Sequence, residues 1–264
     1  MTTNAAPAPH HVSTAAACLH LFFLSLRRQF FSRHTLISAA LTIVASLIVV
    51  GWGMEGATKS VRRFTEEIVV LVHSAFLMPI FAICYGTSGV GSEREDRSLV
   101  YLLITPLPRA LVYISKFLAA ALLVLAWTGL SLCVMCRIAR PWGDEALRLF
   151  WPSLLLGGLA YASLFHTLGA AFRRGTIISL AYAFFLEGLL GSMPGIVKRV
   201  ALSFYVSCMI YDAGADHGVG PKVAPEMFLP VRSSTATAVL VAITIGLAAI
   251  GLIVFARREY RDLS

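Results

Sequence analysis

The chain has 264 residues, 58% hydrophobic and only 14% charged, with a mean hydropathy of +0.78, whereas about a quarter of a soluble domain is charged. Water is therefore excluded as its main solvent. Long windows without Asp, Glu, Lys or Arg, each near the roughly 20 residues that cross a hydrocarbon core, predict an all-α polytopic membrane protein. The formal charge of +8 is spread between these windows rather than gathered in one patch, which is the pattern of juxtamembrane anchors and argues against a nucleic-acid partner.

Residues 1–16 are rich in Ala, Pro, Thr and His and lack a basic n-region, so they are expected to be a disordered tail and not a cleavable signal. Residues 17–264 are expected to form a single transmembrane domain. It begins with an interfacial helix over 17–32, in which Leu19, Phe22, Phe23, Leu26 and Phe30 share one face and Ser25, Arg28, Gln29 and Ser32 the other. Six spans are predicted at 35–54, 68–91, 117–136, 149–172, 175–197 and 233–256, with a long external segment, 198–232, before the last. An even number of spans puts both termini on one side. The 22 Lys and Arg divide almost equally between the two sides, so orientation rests on clustering. Paired arginines abut the spans on the terminal side, whereas the other side mixes its basic residues with Glu55, Glu66, Glu67, Asp144 and Glu145. Both termini are accordingly placed in the cytoplasm, and the protein in the cell (inner or plasma) membrane.

The link between spans two and three is the most informative stretch. Ser92 and Glu95 have capping-box spacing, acids fill the first turn, and Thr105-Pro106 ends the run, predicting a short surface helix. Leu99, Leu102 and Leu103 form its apolar edge. Such a helix at the mouth of a bundle suits docking of a cytoplasmic partner; a plain solvated connection is the alternative.

Glu93-Arg94-Glu95, Ser98-Leu99, Leu102-Leu103, Thr105-Pro106-Leu107, Arg109 and Ser115-Lys116-Phe117 together resemble the signature of type-2 exporter permeases of ATP-binding-cassette (ABC) transporters in order and spacing. Arg97 and Ser115 stand where that family usually has Gly, and Tyr101 where Glu is common. The resemblance implies an amphipathic leading helix, six spans and a coupling helix containing Glu93, Arg94, Glu95, Arg97, Thr105, Pro106 and Arg109 that contacts a cytoplasmic ABC ATPase. It also implies a second permease subunit, as a homo- or heterodimer, with substrate passing outward between the two. The chain has no Walker A sequence, so ATP and Mg belong to the partner ATPase; no cofactor is expected in this chain, which is not itself an enzyme. Alternatives are an ATPase-coupled anchor or mechanotransmitter for an extracytoplasmic process, and a secondary transporter.

Within the spans, Glu187 is the candidate for a pathway or dimer-interface role, because a lone carboxylate there is costly; protonated, internally hydrogen-bonded packing is the competing reading. His73 and His166 are expected near opposite ends of their spans, too far apart for one haem, and are read as helix–helix histidines. Cys133 and Cys136 close span three, and packing is favoured over redox chemistry. None of the five cysteines implies a disulfide framework. Ser234, Ala238, Ala242 and Gly246 recur every four residues on span six and suit a close-packing seam, either within the chain or between two copies. The external segment is read as lying in the membrane interface, with an outer gate helix as the alternative.

Overall fold

The computed structural model describes residues 13–54, 59–95, 107–191, 193, 195–221 and 228–257, and of 92–95 the backbone course alone. The described residues are almost wholly helical. Helix α1 (Thr14–Phe30) starts on the Ser13 hydroxyl, which accepts from the Ala16 N–H at 3.2 Å. After the short turn at Phe31 and Ser32, α2 (Arg33–Met54) runs to the far end of the bundle. The chain returns through α3 (Val61–Phe64), capped by Ser60, then a π-helical stretch (Thr65–Leu77) and α4 (Met78–Glu95). Pro79 has no N–H to give, so the wide register falls in the turns before it. Helices α5 (Arg109–Ile138) and α6 (Trp142–Ala171) form a long hairpin. Next come α7 (Gly175–Tyr182) with its π-helical continuation (Ala183–Leu190), the packed helix α8 (Leu202–Ala213), and finally α9 (Ser233–Arg257).

Five of these segments are long and apolar enough to cross a membrane: Arg33–Met54, Val61–Gly91, Arg109–Ile138, Trp142–Ala171 and Ser233–Arg257. The predicted span 175–197 is shorter than expected. Its helix stops at Leu190, and about 24 Å of rise falls short of a roughly 30 Å core. The chain is a multi-pass membrane protein built round α6, which packs against α4, α5, α7, α8 and α9. That centrality follows from its composition, since Gly157, Gly158, Ala160, Ala162, Ser163, Gly169 and Ala170 are all buried and let neighbours approach.

Three further expectations change. Helix α1 turns Leu21, Ser25 and Gln29 into the bundle and leaves Leu19, Phe23, Leu24 and Phe30 exposed; the polar side chains Ser25 and Gln29 therefore face protein, not water. Helix α4 continues without a break from Met78 through Glu95, so Ser92 lies inside a helix rather than capping a new one, and Glu93 and Glu95 occupy its last described turns. Packing of Gly86 and Gly89 against α6 holds this stretch helical where local signals favour a new start. On α9 the buried face is Ala236, Leu240, Thr244, Gly251 and Phe255, whereas Ser234, Ala238 and Ala242 are exposed and Gly246 has open space at its Cβ position. Among the described residues, Ser234, Ala238 and Ala242 line no seam within the chain.

Candidate functional site

The end of the bundle nearest α1 is organised by glycines on α4 and α6. A Cβ at Gly86 would lie 3.1 Å from the His166 nitrogen and the Phe165 Cβ, and one at Gly169 would lie 3.0 Å from the Thr87 Cα. The two helices thus meet almost backbone to backbone. Into this seam the buried His166 donates from Nδ1 to the Gly86 carbonyl at 3.0 Å. A carbonyl only accepts, so Nδ1 carries the hydrogen; Nε2 makes no hydrogen bond among the described residues. One turn along α4, the buried Lys116 of α5 donates to the Gly89 carbonyl at 3.1 Å. Gln29 of α1 reaches the same glycine, its Nε2 lying 3.7 Å from where a Cβ would stand. The rings of Tyr113 and Phe117 flank His166 at 4.8 and 5.6 Å between centroids.

Hydroxyl-to-carbonyl bonds fasten α9 to α6: Ser163 Oγ donates to the Thr244 carbonyl and Thr167 Oγ1 to the Leu247 carbonyl, both at 2.8 Å. Further along the bundle, His73 Nε2 donates to the Thr128 carbonyl at 3.0 Å, with Ser131 Oγ equally near. His73 and His166 therefore serve separate pairs of helices.

Glu187 is turned inward. Its Oε1 accepts from the Leu202 N–H at 2.8 Å and its Oε2 from the Ser203 N–H at 3.1 Å, with the Tyr182 hydroxyl donating at 3.4 Å. The carboxylate caps α8, whose first N–H groups have no intrahelical acceptor. Within the described residues Glu187 is internally hydrogen-bonded. Helix α8 itself buries Leu202, Phe204, Val206, Cys208 and Ile210 against α6 and α9, more contact with protein than a helix lying in the interface would make. Burial raises the Cys208 thiol above its ordinary range and pushes the Tyr211 hydroxyl up to about 12, with Glu66 adding to the latter. Burial lowers the Lys198 ammonium, which lies 4.3 Å from the Phe228 ring centroid.

At the far end, Trp52 Nε1 donates to Glu67 at 2.9 Å, Arg63 bonds the same carboxylate, and Asp144 pairs with Arg140 at 3.1 Å. Cys133 is exposed and Cys136 buried, both as free thiols.

Of the predicted coupling residues, Glu93, Arg94 and Glu95 continue α4 and Arg109 opens α5. Arg97, Thr105 and Pro106 lie outside the described residues, as do Leu99, Leu102 and Leu103. The glycine seam was not anticipated; Gly86 and Gly89 are three residues apart and Gly169 lies on another helix, so the three form no i, i+4 small-residue motif among themselves.

Among the described residues the chain is an almost wholly helical bundle with five segments able to cross a membrane and polar clamps between them. A family model described as "ABC-2 family transporter protein" matches residues 42–210. The chain belongs to this family and is the permease subunit of an ABC transporter. The match covers the seam, Lys116, His166 and Glu187. No curated protein matches the chain significantly.

Proposed function

We propose that this permease moves its substrate out of the cytoplasm, driven by a separate cytoplasmic ATPase that binds ATP and Mg and docks on the segment holding Glu93, Arg94, Glu95, Arg97, Thr105, Pro106 and Arg109. The observation that carries the reading is the unbroken course of α4 from the glycine seam to Glu95. A push on the charged end of this helix reaches α5 and α6 without an intervening flexible joint. A second permease subunit completes the translocation path, and both termini lie in the cytoplasm. On α9, the outward row of Ser234, Ala238 and Ala242 is open to close approach by that subunit.

The test is detergent co-purification of the tagged chain from its native membranes, comparing wild type with Glu93→Arg plus Glu95→Arg at equal abundance. An ATPase subunit should accompany the wild type and be lost from the double variant. Absence of any ATPase from the wild-type preparation in several mild detergents would overturn the proposal.

A further inference from the structure

We infer that Lys116 is a positioning residue: it clamps the stalk of the ATPase-docking segment to α5, and together with His166 makes α4, α5 and α6 move as one body at that end. The inference rests on the coupling role proposed above for residues 93–109.

The geometry places two side chains from different helices on two carbonyls of one helix, a turn apart. Lys116 of α5 holds Gly89 and His166 of α6 holds Gly86. Both donors are buried, Lys116 to 1% exposure and His166 completely. A lysine withdrawn from water is costly, and an apolar side chain of similar length would fill the same space more cheaply. Among its interactions the ammonium makes a directional, charge-assisted bond to the backbone of α4. The glycine at 89 keeps the second clamp in place, because a Cβ there would lie 2.8 Å from the His166 ring and force it away from the helix. The bonded carbonyls lie just before Glu93–Glu95, so displacement there is delivered to α5 and α6. Helix α6 touches α7, α8 and α9 in turn and spreads the movement through the bundle.

The experiment uses the full permease–ATPase complex in lipid nanodiscs, with Lys116→Met, Lys116→Gln and Lys116→Arg. Amide hydrogen exchange is read in peptides covering 86–95 and, as an internal control, 146–165 of α6. ATP hydrolysis is read as kcat and KM. In Lys116→Met, exchange over 86–95 should quicken about tenfold while 146–165 stays protected. The kcat should fall about tenfold with KM for ATP unchanged, since nucleotide is bound by the other subunit. Lys116→Arg should restore both. Should Lys116→Met fail to fold, Lys116→Gln, which keeps a donor but no charge, is expected to show the same local loosening to a smaller degree. Unchanged exchange over 86–95 in every folded variant overturns the inference, as does loosening without loss of kcat. A wild-type preparation that lacks an ATPase instead overturns the function on which the inference rests, and does so before any substitution is made.

Discussion

The carboxylate of Glu187 caps a helix that starts fifteen residues later, accepting from the backbone N–H groups of Leu202 at 2.8 Å and Ser203 at 3.1 Å. The bond closes the turn between the short helix that ends at Leu190 and α8, and satisfies two of the donors a helix start leaves open. An anion at that position also meets the positive end of the helix dipole.

Removing this cap should cost stability locally. Glu187→Ala is expected to destabilise the chain by about 1–2 kcal/mol, with faster amide exchange over 202–213, because a buried and a half-buried N–H group lose their acceptor. Glu187→Gln keeps one acceptor oxygen and should lose less. Thermal unfolding in detergent combined with hydrogen exchange checks both, and equal stability of all three proteins would contradict the cap.

The glycine seam predicts an asymmetry between two superficially similar positions. Gly86→Leu should sharply reduce the folded, monodisperse yield, because even a Cβ there crowds the His166 backbone at 3.1 Å. Gly51 lies within α2 with nothing near its Cβ position, so Gly51→Ala should be neutral or stabilising by about 0.5–1 kcal/mol. Size-exclusion profiles and melting temperatures distinguish the two.

Sidedness is open to cysteine labelling. In a background without native cysteines, Asp216→Cys, exposed at the far end of the bundle, should react with a membrane-impermeant maleimide in intact cells. Arg174→Cys, in the exposed turn between α6 and α7, should react only after permeabilisation. The reverse pattern would put the termini outside.

The thiol of Cys208 should be nearly inert to alkylation at pH 8, while the exposed Cys133 reacts. Burial raises the Cys208 pKa above its usual 9.0, so the reactive thiolate is scarce below that value. A raised folded-state pKa means that the folded chain holds the proton longer than the unfolded one. The contribution of this group to stability is therefore complete below pH 9 and declines as the pH rises through the folded value. Mass spectrometry of alkylated peptides across pH 7–10 measures both thiols; rapid labelling of Cys208 at pH 8 would refute the assignment.

Membrane character and the place of five of the six predicted apolar segments were legible in the chain itself. Lipid imposes a length and a composition on any crossing helix, and both are local properties of the sequence. The short helix at Gly175 was the exception, because an apolar window continues past Leu190 while the backbone turns. The polar face assigned to α1 failed for a related reason. Amphipathicity identifies two faces but not their surroundings, and in a membrane bundle Ser25 and Gln29 can face protein while Leu19 and Phe23 face outward.

Tertiary structure alone decided which groups meet. Glu187 was conspicuous as an isolated acid, yet its partners are backbone N–H groups that carry no signal in the sequence. Lys116 and His166 are single letters on separate helices, and the carbonyls of Gly86 and Gly89 bring them to one helix only because α4 and α6 lack the side chains that would hold them apart. Hydrophobic periodicity is written along the chain, whereas hydrogen-bond partnership depends on distances that exist only once the helices have packed.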